Sequence, residues 1–413
     1  MCGGRIELAD PEAVGGAARF DIARARAETA GCGGVIHLNN AGSALMPGPV
    51  LDRVVGHLEL EARIGGYEAA ELAEAEVSGV YESAGALLGC LPSEVALTEN
   101  ASRAWQAAVQ AVPLAAGDRI VVGAAEYVSN HLVLQAVREA TGATVTVVPD
   151  DEHGRFDVEF FRGVLDERTK LVALTHVPVY GGPVNPVREV GGLLRDAPAF
   201  YLVDACQTAG QLRLDVAAIG CDLLTAAGRK YLRGPRGTGL LYVNSARMPE
   251  LRGACLDTRG LRWSGNGEVS ARQDARLFES WEASFAIRLG LGAAIDYALA
   301  WGLDAIWERI RLLSARLTER LGYVPGVLLP DNAAVAPSGL VRFRLPGADP
   351  HRIRRELRRG GVNVSVSERE LAPLDPAQRR ETAQLRASVH YYNTEDEIDR
   401  FGDALELLLK KDA

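Results

Sequence analysis

The stretch AFYLVDACQTAGQ, residues 199–211, runs apolar for five residues, ends on Asp204 and places Gln207 one helical step later. A second apolar run, CDLLTAA (221–227), leads into GRKYLRGPRG (228–237), where Lys230 stands among arginines, glycines and proline. Short apolar runs without polar alternation are the pattern of strands buried on both faces. From about residue 118 to 245 such runs (RIVVG, TVTVVP, KLVALTHV, AFYLVDA, CDLLTAA, TGLLYV) alternate with amphipathic segments such as NHLVLQAVREATG and VREVGGLLRD. Strand and helix in turn predict an α/β fold with a mainly parallel sheet, whose ligand lies outside the carboxyl ends of the strands. Asp204 and Lys230 both fall at such ends.

After residue 288 the texture changes. LGLGAAIDYALAWGLDAIWERIRLLSARLTERLG (289–322) carries apolar residues every three or four positions and predicts one long bridging helix. SGLVRFRLPG, HRIRRELRRGGVNVSVS and RASVHYYNTEDEIDRFGDALELLL then predict strand, helix, strand, strand, helix. The expected organisation is an N-terminal segment (1–45) packing on a small α+β domain, a large domain over 46–290, and the small domain over 291–413.

With 47% hydrophobic and 24% charged residues, the 413-residue chain has globular proportions and length for more than one ordinary domain. Its net charge of −9, without a long basic run, disfavours nucleic acid as a partner. MCGGRIELADPEAVGG does not read as a signal peptide, and no run is long enough to cross a bilayer, so a cytoplasmic location is expected. Cys2, Cys32, Cys90, Cys206, Cys221 and Cys255 lack metal-ligand spacing, and no metal site is expected.

An acid ending one strand and a glycine-flanked lysine after the next are two requirements of a pyridoxal phosphate (PLP) site. Such a site needs a lysine for the Schiff base, an acid at the pyridine nitrogen, a phosphate cradle, a stacking ring and an anchor for the substrate carboxylate. Asp204 suits the pyridinium, and Gln207 suits the phenolic oxygen if the chain turns helical there. Read alone, Asp204 is equally a helix cap and Lys230 a solvated surface residue.

HLNNAGSALMP (37–47), TENAS (98–102), EYVSNHL (126–132), THVPVYGGPVNP (175–186), DACQTAGQ, GRKYLRGPRGTGLLYV and LRASVHYYNTEDEIDRF follow one another in an order that resembles the class V aminotransferase and cysteine desulfurase-like family of fold-type I PLP enzymes, including the isopenicillin N epimerases. The resemblance implies a fold-type I PLP-transferase with a mainly parallel seven-stranded sheet, a small α+β domain and a homodimeric assembly. It implies Lys230 as the Schiff-base lysine, Asp204 at the pyridine nitrogen, and Gln207 at the phenolic oxygen. Ala101 and Ser102 would bind the phosphate at a helix N-terminus, which favours anions. Tyr127 takes the place of a stacking histidine, and Arg229 replaces a histidine and adds a cationic phosphate contact. Arg386 would grip an amino-acid carboxylate, with Asn40, Ala41 and Gly42 beside it.

The pattern departs from desulfurases on the substrate side. Their mobile-loop cysteine has no counterpart, since NVSVSERELAPLDPAQRRETAQL (363–385) contains no cysteine. Val179 stands where relatives carry Asn or Thr, and Ser365 where some carry arginine. Without an acceptor thiolate, the expected reaction is β-elimination on an S-substituted cysteine, a C–S lyase activity giving thiol, pyruvate and ammonia. Transamination, epimerisation and decarboxylation-coupled oxidative deamination are the alternatives on the same lysine. Tyr67 and Trp281 are expected in the core or at a pocket or subunit interface, and His37, His390 and Tyr391 in structural positions.

Overall fold

The computed structural model describes residues 20–252, 257–330, 338–368, 374 and 383–410. Among the helices that precede the main sheet are α1 (Gly48–Ile64) and α2 (Glu74–Leu88). The sheet comprises β1 (Val95–Thr98), β2 (Arg119–Gly123), β3 (Thr144–Val148), β4 (Thr169–Thr175), β5 (Phe200–Asp204), β6 (Leu223–Ala227) and β7 (Gly239–Val243). Their spatial order is β1-β7-β6-β5-β4-β2-β3. β7 runs antiparallel to both neighbours, and the other pairings are parallel. The seven-stranded, mainly parallel sheet expected from the sequence is therefore present.

Burial on both faces explains the unbroken apolar runs. Along β5, Tyr201 and Val203 enter one hydrophobic core while Phe200 and Leu202 enter the other. The period-2 geometry of a strand sends alternate side chains to opposite faces, so a strand between two cores has no polar face to display. Between β1 and β2 lies α3 (Ala101–Ala111), and between β2 and β3 lies α4 (Val128–Thr141). Asn100 caps α3 by accepting from the Arg103 amide at 3.0 Å. Gly142, at φ 77°, ends α4 in a left-handed conformation that a glycine adopts without a Cβ penalty.

The helical pattern after residue 288 is two helices instead of one. Helix α5 (Phe285–Trp301) meets α6 (Leu303–Gly322) at 79°, and the corner is Gly302 at φ 82°. Continuous apolar spacing hid the break because both helices bury their apolar faces. The chain then forms β8 (Leu340–Phe343), α7 (Pro350–Arg359), β9 (Ser365–Ser367), β10 (Gln384–Ser388) and α8 (Glu395–Lys410). The three strands make an antiparallel sheet with β10 in the middle. Ile36 and His37 pair in parallel with Val362 and Asn363 just before β9, and Asn39 bridges Ser388 of β10, which ties the N-terminal segment to this part of the chain.

Arg233 joins these parts. It is 1% exposed and donates to the Leu45 carbonyl, the Tyr391 hydroxyl and the Thr29 hydroxyl. Its guanidinium also lies over the rings of Tyr391 and Tyr392. The loop that follows Lys230 is thereby fixed to both the N-terminal segment and the chain after β10. No single helix among the described residues is long and apolar enough to cross a membrane. Tyr67 and Trp281 are 79% and 56% exposed, which overturns a core position for either.

Candidate active site

Parallel strands end on one edge of the sheet, and there Thr175, Asp204 and Thr225 stand in register on β4, β5 and β6. Above this edge lies a cavity of 440 Å³ lined by Ala101, Ser102, Tyr127, Asp204, Gln207 and Lys230. Arg229, Arg386, Ala41 and Gly42 also line it. Residues spread over 345 positions of sequence thus meet in one place, because each follows a strand end or lies on a segment packed against that edge.

Asp204 is 6% exposed. Its Oδ1 accepts from the Cys206 amide at 2.8 Å and its Oδ2 from Asn130 Nδ2 at 2.9 Å. Gln207 lies in a turn, so the helix on which its reach was argued is absent. The turn still places it in the cavity wall, where Nε2 donates to the Ala41 carbonyl at 3.2 Å and the buried Oε1 has no partner. Burial lowers the pKa of the Lys230 amine, with the Arg229 and Arg386 charges adding to the shift and Cys206 and Asp204 opposing it. A lowered amine has a larger neutral, nucleophilic fraction near pH 7.

The helix α3 presents its N-terminus to the cavity through Ala101 and Ser102. Gly239 on β7 makes that approach possible: a Cβ there would stand 2.5 Å from the Asn100 carbonyl carbon and 2.7 Å from the Ala101 nitrogen. Arg229 donates to the Gly42 carbonyl. Burial and the neighbouring Arg236 charge lower its pKa.

On the opposite side, Arg386 leaves β10 and is 6% exposed. Its Nη1 donates to the Val179 carbonyl at 2.5 Å and its Nε to Ser365 Oγ at 3.0 Å. Among the described residues it has no carboxylate partner, and burial lowers its pKa to about 10. Buried cations are ordinarily paired, and here a backbone carbonyl and a serine hydroxyl are the partners that the guanidinium has on the cavity wall. The residue that replaces an arginine of some desulfurases, Ser365, serves here to hold Arg386.

Asn40 does not line the cavity. It is wholly buried, donating to the Ser388 carbonyl at 2.7 Å and accepting from the Tyr392 hydroxyl. Its neighbour Asn39 lines the cavity instead and has a buried Oδ1 without a partner. Asn39 makes an isolated bridge to Ser388 and Asn40 begins a turn, and sequence order alone does not say which side chain faces in. His37 donates to or accepts from its own segment and Asn363, and the buried His390 contacts the Tyr231 carbonyl at 3.0 Å. Both, with Tyr391, are structural.

Sequence reasoning missed Glu126, Asn130, Thr175 and Cys206. EYVSNHL contained the first two, but only tertiary contact shows that they meet Asp204. Cys206 also lines the cavity. Burial, the Asp204 carboxylate and its hydrogen bond push this thiol well above the ordinary range. The segments 369–373 and 375–382, where the loop cysteine of desulfurases would fall, lie outside the described residues.

The arrangement fits PLP on four counts. An acid and a lysine line one cavity, a helix N-terminus and an arginine provide for a phosphate, the Gln207 amide lies in the wall, and Tyr127 supplies a ring there. Comparison with known proteins gives the same assignment. The chain is 30% identical over 387 residues, 90% of its length and 94% of the relative's, to a probable cysteine desulfurase of Methanothermobacter thermautotrophicus. It is 32% identical over 71% of both chains to a probable cysteine desulfurase of Halalkalibacterium halodurans. Among solved structures, the apo cysteine desulfurase of Thermococcus onnurineus matches with a TM-score of 0.87 at 24% identity, covering 96% of this chain and 99% of that one. A cystine C–S lyase in complex with cysteine persulfide matches with a TM-score of 0.81 at 22% identity, covering 90% and 97%. The aminotransferase class-V family model matches residues 36–401, and the chain belongs to that family of fold-type I, PLP-dependent enzymes.

Proposed function

We propose that this enzyme is a C–S lyase that carries out β-elimination on an S-substituted cysteine. The overall conversion is R–S–CH2–CH(NH3+)–COO− plus water to R–SH, pyruvate and ammonium. The observation that supports the reading is a cavity that gathers Lys230, Asp204 and Arg386 and has Cys206 as its one thiol among the described residues. Arg386 offers a charged receptor for the α-carboxylate without an acid to neutralise it among the described residues. Cys206, the cavity thiol among the described residues, is held protonated, and the loop at 363–385 has no cysteine.

Bound PLP supplies the electron sink that lets the bond to the α-hydrogen ionise. Lys230 holds the cofactor and takes the α-proton, a role for which its lowered pKa is suited. Asp204 would accept from the protonated pyridine nitrogen, and the Gln207 amide would donate to the phenolic oxygen. Ala101, Ser102 and Arg229 would hold the phosphate, and Tyr127 would supply a ring for stacking. Ala41 and Gly42 close the carboxylate end beside Arg386. The thiolate then departs as a stable anion, and no protein sulfur has to receive it. The names of the relatives, cysteine desulfurase and cystine C–S lyase, support carbon–sulfur chemistry at this site.

The test is product analysis with a panel of S-substituted cysteines, measuring thiol, pyruvate and ammonia together, with Lys230→Ala as control. Equimolar formation of all three, absent from the control, supports the lyase. A keto acid retaining the thioether, an aldehyde, or an inverted amino acid sinks it in favour of transamination, decarboxylative deamination or epimerisation.

A further inference from the structure

Behind Asp204 lies a second carboxyl group that no part of the reaction above uses. Glu126 is 1% exposed at the start of the turn into α4, and Asn130, 2% exposed, sits one helical turn further on. A single amide group links the two acids. Asn130 Nδ2 donates one hydrogen to Glu126 Oε1 at 2.7 Å and the other to Asp204 Oδ2 at 2.9 Å. The same Glu126 oxygen accepts from Thr175 Oγ1 at 2.7 Å and from the Tyr127 amide at 3.1 Å.

An asparagine side chain can present either its amide hydrogens or its carbonyl to a neighbour, and the choice follows from what surrounds it. With a carboxyl oxygen on each side, only the amide end satisfies both contacts. If the Glu126 acceptor were removed, the Asn130 amide would be held by Asp204 alone and would lose the second anchor that fixes its angle to that carboxylate. Glu126 also fits this place as an uncharged acid. Burial, followed by the nearby Asp204 charge, raises its pKa to about 7, and its Oε2 is buried without a partner. Asp204 is the charged group that acts on it; its other contacts are Asn130, Thr175 and its own backbone neighbour Tyr127.

We propose that Glu126 is a positioning residue for the cofactor: it fixes the Asn130 amide, which in turn holds the Asp204 carboxylate turned toward the cavity. Asp204 Oδ1 is already held from the other side by the Cys206 amide. The two donors together leave the remaining lone pairs of Asp204 for the cavity that it lines, where a pyridine nitrogen would be held. This role depends on PLP binding and is independent of which bond the enzyme breaks.

The experiment is a double-mutant cycle read by the PLP dissociation constant, titrating apoprotein by absorbance with Glu126→Leu, Asp204→Asn and the pair. If Glu126 acts through Asp204, Glu126→Leu weakens PLP by roughly ten-fold or more alone and by less than about two-fold in the Asp204→Asn background. Glu126→Gln, which keeps an acceptor for Asn130, restores most of the affinity. Equal losses in both backgrounds, no loss in either, or a Gln variant as weak as the Leu variant overturns the proposal. If Glu126→Leu does not fold, as judged by melting of the apoprotein, Asn130→Ser replaces it in the same cycle, with the same two readings.

Discussion

Arg386 Nη1 donates to the carbonyl of Val179 at 2.5 Å, joining the central strand of the small sheet to the loop that leaves β4. The guanidinium is thus held at the cavity by a backbone oxygen and a serine, with no acid among the described residues to balance its charge. A buried cation of this kind costs stability that a bound carboxylate recovers. Arg386→Met is therefore expected to leave the apoprotein as stable as the wild type or more so, the lost bonds to Val179 and Ser365 offsetting part of the gain. The same variant should lower kcat/KM for an amino-acid substrate on the order of 100-fold or more. Thermal melting and steady-state kinetics on one preparation check both halves.

Glu126 gives stability a sign with pH. Its pKa rises from 4.5 to about 7 on folding, so the folded state binds the extra proton between those values. Its contribution is fully present below about pH 4.5 and is lost as pH rises toward 7, by about 3 kcal/mol at most. His176 acts in the opposite sense. Burial lowers its pKa from 6.5 to about 4, so its contribution is present above 6.5 and is lost as pH falls toward 4. The Glu126 effect is isolated by subtraction: wild-type stability minus that of Glu126→Gln in urea should fall between pH 5 and pH 7.5. A flat difference would mean that Glu126 does not change its protonation on folding.

Gly239→Ala should damage the phosphate end of the site from outside the cavity. The added methyl would meet the Asn100 and Ala101 backbone at 2.5–2.7 Å, and backbone cannot rotate away as a side chain can. Destabilisation of about 2–3 kcal/mol is expected. PLP affinity should fall more than stability alone explains, because the N-terminus of α3 is displaced. Melting of the apoprotein and PLP titration separate the two effects.

Cys206 should react slowly with iodoacetamide. Burial and the Asp204 carboxylate keep it as a thiol at pH 8, and only the thiolate is a strong nucleophile. Alkylation at this position is expected to be roughly ten-fold or more slower than that of free cysteine, followed by peptide mass spectrometry. Rapid labelling would restore a sulfur-accepting route through this residue.

The local order of apolar and polar residues determined much of the fold. A strand buried on two faces admits no polar alternation, so the strands of the main sheet, Asp204 at the end of one and Lys230 beyond the next were legible in sequence. The resemblance of seven ordered motifs then pointed to the PLP site and to Arg386 as its carboxylate receptor. Three features needed the tertiary structure. Gly302 turns one helical pattern into two helices, because a single positive φ leaves no trace in hydrophobic spacing. Asn39 faces the cavity while Asn40 is held by Ser388 and Tyr392, because residue direction depends on contacts from the far end of the chain. Glu126 and Asp204, 78 positions apart, become coupled acids only where β5 and the start of α4 meet, since hydrogen bonding and desolvation arise from proximity in space.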